Sequence, residues 1–404
     1  MNYKMRGRVE KDEFVFKDSS IGLMRLLCFL ILFVIGIIIG LISSSHVDRY
    51  FITSRPDKFY ADYTSAAPAP SYGKPAIYDQ NCSSSSNCKN DDCLSMESFR
   101  MPKNLTHRMT DNELFWRASL VPDKPEYPFD RVPKVAFMFL TRGPLPFLPL
   151  WERFFGGQDV DKYSIYVHTN PGVRLNLENT SVFYQRQIPS QDVRWGTVTL
   201  VDAEKRLLGN ALLDFSNERF ILLSESCIPI YNFPTIYNYL IGSTHSFLDS
   251  YDDASRYGRG RYSRRMKPDI KLRDWRKGSQ WFEIHRTLAI KIISDTKYYN
   301  LFKSYCLPSC YPDEHYLPTF THMFYGDLNA NRTVTYVDWS LGGPHPASFG
   351  VDDVTENLIR SIRNNGTNCA YNKGKTSICF LFARKFSPSA LDPLLGLAST
   401  LLGF

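Results

Sequence analysis

Val135-Ala136-Phe137-Met138-Phe139-Leu140-Thr141 is a short, continuous apolar run, and it stops at Arg142-Gly143-Pro144. A strand covered on both faces reads this way, since helices on either side of a parallel sheet leave no outward position for a polar residue. Outward from it, residues 148–155 have helical spacing and end at Gly156-Gly157, and residues 163–168 read as a second strand. Residues 182–184 read as a third, weaker strand. Over residues 197–215, Val198, Val201, Leu208 and Leu212 recur at helical spacing, and Leu200, Leu207 and Ala211 widen the stripe. Residues 219–223 return as a strand, 233–241 as a helix and 246–248 as a strand. This alternation predicts an α/β fold with a central, mostly parallel sheet and a ligand site beyond the carboxyl ends of its strands. Those ends are Thr141-Arg142, His168-Thr169 and Ser224-Glu225.

The second half is less regular. Residues 251–277 are rich in Arg and Lys without apolar periodicity. Residues 280–284 then read as a strand, 287–294 and 314–324 as helices, and 378–383 as an apolar strand bracketed by Lys373, Lys375, Arg384 and Lys385. No internal repeat is present.

Toward the N-terminus, residues 26–42 carry no charge, and extending back through Ile21 makes the stretch long enough to cross a ~30 Å hydrocarbon core. Lys4, Arg6, Arg8, Lys11, Lys17 and Arg25 precede it, against Arg49, Arg55 and Lys58 after it. The positive-inside rule then predicts a cytosolic tail (residues 1–20), a signal-anchor helix (21–42) and a lumenal remainder. A cleaved signal peptide ending near Ser43-Ser44-Ser45 is the competing reading. Residues 43–130 read as a stem, because Ala66-Ala67-Pro68-Ala69-Pro70-Ser71 and Ser83 to Ser86 are Pro- and Ser-rich. A short helix over residues 112–120 is placed to dock on the domain of residues 131–404. Eight cysteines follow the span: Cys82, Cys88, Cys93, Cys227, Cys306, Cys310, Cys369 and Cys379. An even set in an oxidising compartment predicts disulfides, and no pair of Cys-x-x-Cys motifs suggests zinc. Glycosylation acceptors at Asn81, Asn104, Asn179, Asn331 and Asn365 agree with a lumenal body.

Across the whole chain, the net charge of +7 over 404 residues suits anionic partners such as nucleotide diphosphates and falls far short of a dedicated nucleic-acid binder. An aromatic share of 14% suits a protein that stacks on sugar rings as well as one with a large core. No Ser-His-Asp set, Gly-rich phosphate loop or metal-binding His motif appears. Pro312-Asp313-Glu314, taken alone, suits the first turn of a helix and its dipole. Arg384-Lys385, taken alone, reads as surface.

Together the motifs say more. Lys277-Gly278-Ser279-Gln280-Trp281-Phe282, Pro312-Asp313-Glu314-His315 and Leu381-Phe382-Ala383-Arg384-Lys385-Phe386 occur in this order. In this they resemble the core-2/I-branching β-1,6-N-acetylglucosaminyltransferase family, and most closely its plant, brittle-culm-type branch. The resemblance covers residues 130 to 404. It implies a GT-A-type fold, a single-pass type II place in the Golgi membrane, and an inverting transfer from a UDP-sugar, N-acetylglucosamine by default, to a glycan or glycoprotein. No cofactor or metal and no nucleic acid are implied, and the stem and span offer a route to oligomers. The family's general base falls on Glu314 and its diphosphate-binding Lys on Lys385. Arg384 stands where animal members have a neutral residue. The second diphosphate-binding Arg falls near Arg360 and Arg363, between which the spacing does not choose. Nucleotide contacts fall near Thr141, Arg142 and His168, the last replacing an Asp of animal members. Trp339 matches an acceptor-stacking Trp, and Trp281 reads as a wall of the site.

A metal-dependent relative would hold its ion on paired acids at the mid-domain strand end. Here that place reads Ser224-Glu225-Ser226. Asp159-Val160-Asp161 has the spacing but precedes the second strand and reads as a solvated loop, whereas Asp252-Asp253 is better placed. Protein cations in the metal's role fit the sequence better. Two rival classes remain: a lumenal carbohydrate-binding or scaffold protein on the same fold, and a glycoside hydrolase, which would need a second facing carboxylate.

Overall fold

The computed structural model of the chain describes residues 30, 32–35, 96, 105–124, 126–307 and 310–404. The chain divides into two units, Met1–Ser83 and Ser84–Phe404. In the first, residues 30 and 32–35 are helical. Among the described residues no helix is long and apolar enough to cross a membrane. The predicted tail, most of the predicted span and most of the predicted stem lie outside the described residues, and so do Asn81, Asn104, Cys82, Cys88 and Cys93.

In the second unit, helix α1 (Asp111–Ala118) starts at a capping box in which Thr110 and Glu113 satisfy each other's backbone N–H groups. Its Leu114 and Ala118 are buried, so it docks on the domain as residues 112–120 predict. Then follow β1 (Lys134–Leu140), α2 (Leu148–Phe155), β2 (Tyr163–His168), α3 (Thr199–Leu212) and β3 (Asn217–Ser224). After β4 (Ile228–Pro229) and α4 (Phe233–Ile241) come β5 (Glu283–His285), α5 (Arg286–Ser294), α6 (Lys297–Tyr305) and α7 (Pro312–Phe324). The chain continues through β6 (Thr335–Val337), α8 (Glu356–Arg363), β7 (Cys369–Tyr371), β8 (Gly374–Thr376), β9 (Phe382–Arg384) and α9 (Leu391–Leu397).

The main sheet has the order β2-β1-β3-β5. β1 pairs in parallel with both β2 and β3, and β5 runs antiparallel on the outer side of β3. The fold is therefore mixed α/β around a mostly parallel sheet, which fits a GT-A-like domain. All seven residues of β1 are buried because each face has its own core. Phe137 and Phe139 point to an aromatic cluster with Trp151, Phe154, Phe155 and Phe233. Ala136, Met138 and Leu140 point to a second core built with α3, α5 and α7. The period of two in a strand makes this division. A second sheet, β4-β9-β6, abuts the aromatic core through Phe382.

Several expectations need correction. Residues 182–184 form a turn, and β2 is bridged instead by Gln187. The apolar run there reflects Phe183, which anchors the turn against Phe139 with ring centroids 5.3 Å apart. Residues 246–248 make isolated bridges to Asn329 and Glu283, and no regular strand. α6 and α8 are additional helices. Cys306–Cys310 and Cys369–Cys379 are disulfides, but Cys227 is free and buried. Its Sγ accepts the Ser224 N–H at 3.3 Å in the turn after β3, where burial pushes the thiol's pKa up. Asn179, Asn331 and Asn365 are all exposed.

Candidate active site

A cleft of about 580 Å³ opens beyond the carboxyl ends of β1 and β3, where Thr141, Arg142 and Ser224-Glu225-Ser226 line it. The Lys277 to Trp281 segment, the start of α7, β6 with the loop after it, the end of β9 and the 193–200 segment also line it.

One wall carries Glu314. Its carboxylate accepts from Arg261 Nη1 at 2.7 Å and sits 3.1 Å from Lys277 Nζ. The backbone fixes this arrangement. Lys277 exchanges both backbone hydrogen bonds with Tyr251, and the Gly278 N–H donates to the Glu314 carbonyl at 2.9 Å. A Cβ on Gly278 would stand 2.1 Å from the Asp249 carbonyl oxygen, so only glycine permits the contact.

Asp313, beside it, is 6% exposed, and its Oδ1 has no hydrogen-bond partner. Burial, reinforced by the Glu314 charge, raises its carboxyl pKa to about 7, against opposing pulls from Arg261 and Lys277. Beneath it Glu204 is buried, with Oε1 accepting from Gln280 Nε2 at 2.9 Å. Burial, then Asp313, pushes the Glu204 carboxyl well above its ordinary range.

The Asp313 shift predicts a pH effect. Its folded value of about 7 stands above the unfolded value of ~3.9. The proton-linked stability is then fully present below the unfolded value and is lost as pH rises through the folded one. Asp313→Asn, which stays neutral, is expected to gain about 2–3 kcal/mol relative to the unsubstituted protein between about pH 5 and about pH 8. Urea midpoints at the two pH values measure this, and a difference constant with pH would contradict it.

Two further cations, Arg384 and Lys385, line the cleft. The Arg384 guanidinium lies over the Trp281 ring at 4.2 Å, and its Nε has no hydrogen-bond partner. Lys385 lines the same cleft and forms no ion pair among the described residues. Arg142 is exposed at the mouth, where Trp339 is 52% exposed. The structure thus brings Glu314, Arg384, Lys385, Thr141, Arg142, Trp281 and Trp339 together in one cleft.

Three expected residues lie elsewhere. His168 is fully buried, shares its strand face with Tyr166, and accepts from the Gln191 N–H at 3.4 Å. Burial, with Arg206 nearby, lowers its pKa to about 4. Asn170, two residues on, lines the cleft instead. Arg363 donates to the carbonyls of Ile230 (2.5 Å) and Leu401 (2.9 Å) and stacks on Tyr231. Arg360 pairs with Glu356 along an exposed helical turn. Neither arginine lines the cleft: Arg363 is held by backbone carbonyls, and Arg360 by Glu356 one turn back in its own helix. Asp252 is paired with Arg259 at 2.5 Å, Asp253 accepts from the Ser255 N–H, and neither lines the cleft. Asp159 and Asp161 sit in an exposed 3₁₀ turn, as expected. Arg261 and Asn170 escaped notice, one in an irregular basic stretch and the other past a strand end, and neither place carries a signal of its own.

A mixed α/β domain whose cleft is lined by a carboxylate, Glu314, and by Arg384 and Lys385 fits the glycosyltransferase class. The sequence model of the Core-2/I-branching enzyme family matches residues 135–363, and the chain belongs to that family of glycosyltransferases. It is similar to Glycosyltransferase BC10 of Oryza sativa subsp. japonica, with 36% identity over 309 residues that cover 66% of this chain and 76% of the rice protein. The family and its plant branch agree with the resemblance read from the motifs.

Proposed function

We propose that the protein transfers a sugar, N-acetylglucosamine by default, from a UDP-sugar to a hydroxyl of a glycan or glycoprotein, with inversion and without a metal. The observation that carries this is that Glu314, Arg384 and Lys385 line one cleft. An alcohol is a poor nucleophile until its proton leaves. Glu314 takes that proton as the new C–O bond forms. The bond to the donor's diphosphate breaks with its electron pair going to the phosphate oxygen, and Lys385 and Arg384 stabilise the charge that develops there. One base opposite the leaving group gives inversion by direct displacement. At Ser224-Glu225-Ser226 a single carboxylate stands where metal-dependent relatives need a pair, which favours the cationic route. Trp339 offers its exposed face to the acceptor, whereas Trp281 is covered by Arg384 and acts as a wall. A Golgi membrane setting with the body in the lumen belongs to the same reading.

Lys385→Ala is expected to weaken UDP-sugar binding by ~1.5–3 kcal/mol, the scale of a hydrogen bond to a charged group. Titration calorimetry with excess EDTA throughout tests this. Unchanged affinity, or binding restored only by manganese, would overturn the donor assignment.

A further inference from the structure

The wall that carries Glu314 continues outward as an aromatic surface. Arg261, which holds Glu314, lies under the Tyr311 ring at 4.2 Å. Tyr311 meets Trp195 edge-on, with centroids 5.1 Å apart, and Trp195 meets His345 at 5.7 Å. Trp195 and His345 both line the cleft. Trp195 is 53% exposed, whereas Trp151, Trp275 and Trp281 are buried.

The backbone is set to keep the indole there. Tyr311 has φ +56°, a left-handed conformation, although it is not glycine. Such a residue persists where its surroundings fix it, and it recurs at ligand sites. Gly196, next to Trp195, has φ +75°, and a Cβ there would stand 3.3 Å from the Tyr311 ring. The turn therefore needs glycine twice over, for its dihedral angle and for the close approach that seats Trp195 on Tyr311. A half-exposed indole leaves a broad flat apolar face in water, and the C–H face of a sugar ring covers such a face well.

Position selects which sugar. The contacts run from Trp195 through Tyr311 and Arg261 to Glu314, whereas Arg384 lies against Trp281. Trp195 therefore belongs to the acceptor side of the cleft. We propose that Trp195 is an acceptor subsite, stacking on a sugar ring one or more units away from the ring whose hydroxyl faces Glu314. The acceptor is then a glycan chain and not a single sugar. This inference rests on the reading of Glu314 as the base.

The test measures UDP release from UDP-N-acetylglucosamine by the full-length chain. The acceptors are β-linked galacto-, gluco- and xylo-oligosaccharides, from single sugars to about pentamers. For the unsubstituted protein, kcat/KM is expected to rise with acceptor length. Trp195→Ala should abolish the rise, lowering kcat/KM for the longer acceptors on the order of tenfold, the scale of one aromatic stacking contact. Single-sugar activity, UDP affinity and Tm should hold, and Trp195→Phe should keep most of the length effect. An equal loss at every length, or a length effect that survives Trp195→Ala, would overturn the subsite. So would donor binding that is intact while no ladder member is used. Failure of the unsubstituted protein to bind the UDP-sugar at all would overturn the donor assignment along with it.

Discussion

Glu314→Gln is expected to lower sugar transfer by ~10²–10⁴-fold, the range lost with a general base, while UDP-sugar affinity holds. Gln keeps the size and the hydrogen-bonding outline of the side chain, so Arg261 and Lys277 retain an oxygen to approach. What it lacks is basicity at the atom that would take the acceptor's proton. If Glu314 serves only the start of α7 and its two cations, Gln should cost ~0.3–1 kcal/mol through the lost dipole interaction. Its contacts with Arg261 and Lys277 are partly buried, with the Glu314 side chain 24% exposed, so their weakening adds to that figure. Transfer would then persist. Single-turnover rates, UDP calorimetry and Tm on the same preparation separate the two accounts. A stable variant that binds UDP and turns over normally would remove the base assignment.

Arg219→Met is expected to destabilise the domain by ~3–5 kcal/mol, the cost of leaving one member of a buried ion pair alone. Arg219 in β3 and Glu283 in β5 are 1% and 0% exposed and share two hydrogen bonds of 2.7 Å. Arg219 also donates to the carbonyls of Ser243 (3.3 Å) and His245 (2.7 Å). The substitution leaves a carboxylate without its cation in a core and removes two capped carbonyls. Urea denaturation should show a lower midpoint with an unchanged slope. Arg219→Met combined with Glu283→Leu should recover part of the loss, because no lone charge remains. A single variant within about 1 kcal/mol of the unsubstituted protein would show the site to be wetter than its geometry indicates. The pair also bears on the cleft, since it locks the edge strand that follows Gln280 and Trp281, and loosening it moves that wall.

Local pattern carried the sheet's core. Residues 135–141 read as a doubly covered strand because every position is apolar, and β2 and α4 fall where their runs begin and end. Pattern failed where an apolar residue anchors a turn, as Phe183 does, since anchoring and pairing give the same composition. It also failed for α8, whose Arg360 and Arg363 lie near the spacing of a family contact, yet Arg360 pairs one turn back with Glu356 and Arg363 turns to the Ile230 and Leu401 carbonyls. The face on which His168 ends follows from the period of two only once α3 is known to cover the side with Tyr166. That Glu314, Lys385 and Trp281 come together in one cleft was legible through motifs. The Arg261 contact was not, because a long irregular segment carries it back to α7 and no local rule fixes such a path.

The second sheet has the order β4-β9-β6, so the strand last in sequence occupies its middle. Until β9 arrives, Ile228–Pro229 and Thr335–Val337 face each other across a gap, each with an unpaired edge. Closing that gap joins segments far apart in the chain, and such contacts form slowly because their loop entropy must be met first. Arg384 and Lys385 enter with the closing strand. A chain interrupted before Phe382 therefore retains every strand of the β2-β1-β3-β5 sheet while exposing two open edges, the kind of surface that invites wrong pairing between molecules. The cleft's Arg384 and the pairing of those two edges therefore depend on the same strand.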